Sequence, residues 1–299
     1  MTDFDIALAT CRTLPEPDPD ESPLREALAH AGLSARTLAW DDPDAPFDRA
    51  RRVVIRSTWN YVHHLDAFLA WVDRVGARLI NPAPVVRWNV HKSYLHDLER
   101  EGVAVVPTEL VRRDSGRALG DVLASRGWSR AVVKPAVSAA SFETRVARAP
   151  SLDGELSAWF ARVLEARDML VQPYMSSVED YGERALIWID GEVTHAIRKS
   201  PRFAGHDECV SSDGVPVAED ERVFAEAAVR AAQRCMPHEA ITYARVDLVR
   251  DEEGLRVMEL ELIEPSLFFT QGPRALERFG EVLGRSLTQY SSPDVRIHP

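Results

Sequence analysis

Residues 242–265 read TYARVDLVRDEEGLRVMELELIEP, and this stretch decides the fold. Two apolar-rich runs flank the polar set Asp251-Glu252-Glu253-Gly254, so the segment reads as a β-hairpin. Asp247 interrupts the otherwise apolar run VDLV. Glu259 and Glu261 stand two apart in MELEL, and strand alternation puts both on one face. Carboxylates this close repel one another unless they are protonated or bound to a cation. Oxygen-only donors suit magnesium, which takes a few carboxylates together with phosphate oxygens. A water-facing antiparallel strand would show the same alternation, so register has to decide. A strict four-residue loop over 251–254 pairs Asp247 with Met258, on the wrong face. An odd loop or a bulge is needed to set Asp247 opposite Glu259.

Two lysines stand upstream of the hairpin. Lys134 lies in the otherwise apolar AVVKPA, and Lys92 in WNVHKSYL. A buried lysine is costly unless it meets an anion, although a snorkelling edge lysine would give the same pattern. Together with the acids they form a candidate phosphate and metal set. The sequence has no GxxxxGK[ST] and no GxGxxG after its first strand. No HRD or DFG follows VVKP, and there is no GxSxG, HExxH or His/Cys cluster. His63, His64 and His195 are isolated and read as structural or surface residues.

The first 80 residues have a different rhythm. FDIALA (4–9), LSARTLAW (33–40), RRVVIRST (51–58) and RLIN (78–81) read as strands. Ser22-Pro23 is expected to open a helix with Ser22 as its N-cap, and Gly32 to close it. Leu65, Phe68, Leu69, Val72 and Val75 recur at helical spacing before Gly76. Alternating strands and helices imply a parallel α/β unit. Ligands of open α/β sheets sit beyond the carboxyl ends of strands. The polar cluster Arg56-Ser57-Thr58-Trp59-Asn60-Tyr61, directly after the third strand, is therefore a candidate substrate loop, with Arg56, Ser57, Thr58 and Asn60 as substrate-binding candidates; a helix cap at Thr58 or Asn60 is the alternative.

Between these regions, one short helix over 85–101 is expected to carry Lys92. VVPTELV, AVVKPAV, SFETRVAR and DMLVQPYM read as strands, with helices near 116–126 and 153–166. Residues 183–199, ERALIWIDGEVTHAIRK, read as a hairpin turning at Asp190-Gly191. A polar loop over 200–216 has a length that often gates sites. A helix of about 18 residues is expected before the acidic hairpin, and another from near Arg274.

The chain has 299 residues, 45% apolar and 28% charged. Its 47 acids against 36 bases give a net charge of −11, which argues against nucleic acid as the main partner. No apolar run approaches the roughly 20 residues of a membrane span, and MTDFDIALAT lacks a basic leader pattern. Cys11, Cys209 and Cys235 are scattered, without metal-ligand spacing, so reduced thiols and a cytoplasmic location are expected.

The order Lys92, VVKP, LVQPYM, ARVDLV, MELELIEP resembles the ATP-grasp superfamily of carboxylate–amine ligases over about residues 85–290. The preceding unit is similar to the substrate domain that such enzymes carry at the N-terminus. The resemblance implies an α/β ATP-grasp fold in three parts: a substrate domain (1–88), a central lid subdomain (89–180) and a C-terminal subdomain with the metal site (181–299). It implies ATP and magnesium, as two ions. Lys92 and Lys134 would contact the phosphates, and Lys134 would also lie near the adenine. Gln172, Pro173, Tyr174 and Met175 would run along the adenine, and Glu179 would hold the ribose. Arg198 would face phosphate or substrate, and Arg245 would stabilise the reacting oxyanion. Asp247, Glu259 and Glu261 would hold the metal.

There are two departures from the family pattern. Glu259-x-Glu261 stands where Glu-x-Asn is common, and the loop AVSAAS lacks the usual glycines. Within the superfamily, RSTWNY and MELELIEPSLFF resemble the D-cycloserine-forming ligases. That implies closure of O-ureido-D-serine by its own nitrogen through an acyl phosphate. Ser266 then joins the substrate-binding candidates, and the partner is a small amino acid, with a homo-oligomer left open. An intermolecular amino acid or peptide ligase and a non-catalytic nucleotide-binding module are the alternatives.

Overall fold

The alternating pattern of the first 80 residues becomes a four-stranded parallel sheet in the computed structural model, which describes residues 2–139, 142–200 and 209–289. Strands β1 (Phe4–Thr10), β2 (Ala35–Ala39), β3 (Ala50–Ile55) and β4 (Leu79–Ile80) lie in the order β2-β1-β3-β4. Helix α1 (Glu21–His30) follows β1, and α2 (Leu65–Val75) follows β3. The apolar stripe of α2 buries Phe68, Trp71, Val72 and Val75 against Trp40, Phe47 and Tyr61. Helix α1 starts earlier than the sequence suggests. Its N-cap is Asp20, and Ser22-Pro23 lie within the first turn, where proline removes only an N–H that has no helical partner.

Residues 85–101 form two helices rather than one, α3 (Ala83–Asn89) and α4 (Tyr94–Arg100). The break has a local cause. The Asn89 side chain is held by the Leu260 carbonyl and the Leu262 N–H, and the Lys92 N–H donates to Ala136 instead of continuing the helix. Lys92 therefore sits in the joint.

A second sheet is antiparallel, in the order β5-β8-β6-β7, from β5 (Glu109–Val111), β6 (Arg130–Pro135), β7 (Arg145–Arg148) and β8 (Met169–Pro173). Helices α5 (Leu119–Arg126) and α6 (Gly154–Leu164) cover one face. Alternation sorts β6: Ala131 and Val133 enter that core, and Val132 and Lys134 face the other way.

The third sheet is antiparallel, in the order β11-β10-β9-β12-β13, from β9 (Glu183–Ile189), β10 (Glu192–Ser200), β11 (Cys209–Val210), β12 (Tyr243–Asp251) and β13 (Gly254–Glu261). Asp190 and Gly191 both have positive φ, 46° and 102°, as a type I′ turn requires. Helix α7 (Glu219–Cys235) and α4 bury one face of this sheet. Helix α8 (Pro273–Gln289) packs between its other side and the parallel sheet through Phe279, Val282 and Leu283. Residues 201–208 of the expected 200–216 loop lie outside the described residues. No described helix is long and apolar enough to cross a membrane.

Candidate active site

The uncovered faces of the second and third sheets enclose a cavity of about 350 Å³. One wall is largely neutral: Val132, Gln172, Pro173, Tyr174 and Met175 line it, with Lys134 among them. The other is dense in charge, because Glu183, Lys199, Arg245, Asp247, Glu259 and Glu261 all project from the third sheet.

Two β-bulges set that arrangement. The β12–β13 loop is only Glu252-Glu253, since Asp251 already pairs with Gly254. Regular pairing runs to Leu248 opposite Val257; Met258 is then extra, and Asp247 faces Glu259. Arg245 faces Glu261 in turn. Val246, Leu248, Val257 and Leu260 fill the core under α7, so Arg245, Asp247, Glu259 and Glu261 share the cavity face. The second bulge is at Thr194 in β10, where pairing shifts between Val193 and His195. Beyond it the alternation inverts. Val193 and Ala196 both enter the α7 core, and Lys199 rather than Arg198 faces the cavity.

The charged groups are paired with one another. Lys92 Nζ lies 3.0 Å from Glu259 Oε2, and Lys134 bonds the other oxygen of that carboxylate. Lys199 Nζ lies 2.8 Å from Asp247 Oδ2 and also pairs with Glu183. Arg245 grips Asp247 in a fork, with Nε to Oδ1 at 2.8 Å and a terminal nitrogen to Oδ2 at 2.9 Å, and bonds Glu261 as well. Burial pushes the Asp247 carboxyl up, but the Arg245 and Lys199 charges outweigh it and hold it at about 2. Lys134 and Lys92 likewise overcome burial and keep Glu259 low. Burial wins at Glu183, pushed up to about 7 in spite of Lys199. It also wins at Glu264, pushed up to about 8 with help from the Glu261 charge, although the Tyr61 hydroxyl bonds its carboxyl.

Among the described residues no three carboxylate, imidazole or thiol groups converge into a ready cage for a metal ion. The donor set still suits magnesium. Its carboxylates share one face opposite lysines, and magnesium needs few protein ligands when phosphate oxygens complete its shell.

The sequence expectations divide sharply on this geometry. Lys92, Lys134, Gln172, Pro173, Tyr174, Met175, Arg245, Asp247, Glu259, Glu261 and Ser266 all line the cavity. Glu179 does not. It stands exposed beside the cavity, bonded to the Tyr174 hydroxyl at 2.9 Å and to Arg130 at 3.2 Å. The expectation for Arg198 is corrected: its guanidinium donates to the carbonyls of Tyr181 (3.1 Å) and Asp180 (2.7 Å), away from the cavity, because of the bulge at Thr194.

Arg56, Ser57, Thr58 and Asn60 are also absent from the lining of the main cavity. Arg56 is buried against the Pro265 carbonyl (2.9 Å) and Asp20 (3.4 Å). Ser57 meets the Thr10 hydroxyl, Thr58 is fully buried, and Asn60 bridges Trp40 and Asp41. The 3₁₀ turn over Trp59–His63 instead presents Trp59 and Tyr61. Of the expected cluster Arg56–Tyr61, only Trp59 and Tyr61 thus reach the cavity, and sequence reasoning missed Glu183, Lys199 and Glu264. Regular pairing from the Asp190-Gly191 turn would set Glu183 opposite Arg198, and only the bulge at Thr194 brings Lys199 to face it. Of the loop AVSAAS, Ser138 and Ala139 line the cavity, and residues 140–141 lie outside the described residues.

Over 94% of this chain and 98% of the relative, the sequence is 36% identical to the cycloserine biosynthesis protein DcsG of Streptomyces lavendulae. The chain belongs to the D-cycloserine synthetase family. The family description "D-cycloserine synthetase DcsG, N-terminal domain" matches residues 6–81, which hold the parallel sheet. The crystal structure of D-cycloserine synthetase DcsG superposes with a TM-score of 0.86 at 34% identity, covering 94% of this chain and 99% of that one. Two more distant structures share the fold alone. They are the ATP-grasp ligase PsnB (TM-score 0.65, 16% identity, 96% and 99% covered) and the D-alanine–D-alanine ligase of Bacillus anthracis (0.66, 14%, 96% and 98%). The architecture of this D-cycloserine synthetase family member is therefore the ATP-grasp fold.

Proposed function

We propose that this chain is an ATP- and magnesium-dependent ligase that activates the carboxylate of O-ureido-D-serine and closes it with the substrate's own nitrogen toward D-cycloserine. The observation that carries the reading is the cavity in which Lys92, Lys134, Lys199 and Arg245 meet Asp247, Glu259 and Glu261, in a chain of the D-cycloserine synthetase family. The division at about residues 88 and 180 is proposed with it, one sheet to each part.

The nucleotide would lie along Gln172–Met175, with Glu179 reaching the ribose. Lys92 and Lys134 would take phosphate oxygens. Their present partner is Glu259, so an arriving triphosphate would replace that carboxylate at the lysines and free it for magnesium. Asp247, Glu259 and Glu261 would hold two ions. Magnesium, when bound, neutralises charge on the transferring phosphoryl group and orients it. Lys199 takes the phosphate-facing role expected of Arg198, and Arg245 faces the oxyanion.

In the first step a carboxylate oxygen of the substrate attacks the γ-phosphorus, the bond to ADP breaks and an acyl phosphate forms. In the second step the N–O nitrogen attacks the acyl carbon, phosphate leaves and the nitrogen loses its proton. That nitrogen carries the carbamoyl group, so free D-cycloserine also requires hydrolytic loss of that group. No covalent protein nucleophile is needed. The protein supplies positioning and charge compensation.

The test is a panel of small amino-acid carboxylates with magnesium and ATP, measuring phosphate release with and without an added amine. Release with O-ureido-D-serine and no amine supports the reading. Release only when a separate amine is present would make the chain an intermolecular ligase.

A further inference from the structure

Asp20 is the N-cap of α1, yet its side chain makes no bond to its own helix, the usual use of an aspartate there. It is 1% exposed, and both oxygens turn to a segment some 250 positions away. Oδ2 accepts from the N–H groups of Leu267 and Phe268, both at 2.9 Å, and Oδ1 from Phe269 at 2.8 Å. Arg56 braces the same segment by donating to the Pro265 carbonyl. Trp59 donates to the Glu264 carbonyl at 3.2 Å, and His195 Nε2 lies 3.1 Å from the Phe268 carbonyl.

The segment held in this way is unusual. Phe268 has φ of +51°, a left-handed conformation that a bulky residue keeps only when its surroundings impose it. Leu267 and Phe269 enter the core under α8, Ser266 and Phe268 line the cavity, and Phe268 also packs against that core. The Phe268 ring centre lies 5.9 Å from the Arg245 guanidinium carbon. Glu16, Pro17 and Pro19, just before Asp20, line the cavity too, so one carboxylate ties two of its walls together. None of these residues belongs to the Gln172–Met175 wall.

We propose that Asp20 is a positioning residue for the amino-acid substrate: by gathering three backbone N–H groups it fixes Ser266 and Phe268 beside Arg245, and so sets affinity for the amino acid and not for the nucleotide. This rests on the ligase reading above. The test uses the full chain and steady-state phosphate release, with whichever amino acid drives turnover in the wild-type panel. Asp20→Ala is expected to raise KM for the amino acid at least about tenfold while KM for ATP stays within about twofold. Asp20→Asn keeps one good acceptor and is expected to fall between, so it decides the matter if the alanine variant does not fold. Leu28→Ala, which loosens the same interface of α1 with α8, is expected to lower Tm and leave both KM values alone. Equal rises in both KM values, no rise at all, or the same KM change in Leu28→Ala would overturn the proposal. A wild type inert to O-ureido-D-serine but active on another amino acid ends the substrate reading alone and leaves the Asp20 comparison standing.

Discussion

The bulged hairpins of the third sheet and the loop after β3 both carry dense polar sequence at the edge of one cavity, and they use it in opposite ways. In the hairpins, the partners of each charge are side chains on the cavity face: Lys199 and Arg245 for Asp247, Lys92 and Lys134 for Glu259. A ligand can displace such partners with phosphate oxygens and metal. In the loop, Arg56 bonds a backbone carbonyl and a carboxylate already committed to backbone N–H groups. No ligand can offer a substitute without unfolding the segment. The same residue types are thus exchangeable in one region and structural in the other, according to what they are bonded to.

The comparison can be broken by substitution. The largest effect is expected at Glu259→Gln, which takes the anionic partner from two lysines and, under the proposed function, a ligand from magnesium. Substrate-dependent phosphate release should fall by on the order of 10³-fold. Lys199→Met should cost on the order of 10²-fold in kcat/KM. Arg56→Ala should act mainly on stability: loss of a buried, charge-assisted bond to Pro265 is worth about 2–4 kcal/mol in urea unfolding, with activity reduced about tenfold or less. Arg198→Ala, one residue from Lys199 but on the opposite face, should leave kcat/KM within about threefold. Equal losses at 198 and 199 would contradict the inversion at Thr194.

The comparison also explains what was legible in the sequence. Alternation within a strand is a local rule, so Glu259 and Glu261 could be assigned to one face from their neighbours alone, whereas placing Asp247 with them needed the register. The cavity-lining run Gln172–Met175 followed from the order of the family motifs. The single residues that shift that rule were not legible. Met258 and Thr194 carry no bulge signature, and the second sends Arg198 outward and Lys199 inward. The loop after β3 has no period at all. Its side-chain directions depend on Asp20, Asp41 and Pro265, none of which is a sequence neighbour. The break between α3 and α4 has the same origin, since the groups that hold Asn89 and Lys92 lie at the distant ends of β13 and β6.

The central claim is that the cavity activates a carboxylate with ATP and closes it from within the same molecule. O-ureido-D-serine labelled with ¹⁸O in its carboxylate, incubated with magnesium, ATP and no added amine, tests this directly. The account predicts one labelled oxygen in the released phosphate, together with ring product, as departure of an acyl phosphate requires. Unlabelled phosphate, or label transfer only when a separate amine is supplied, would contradict it.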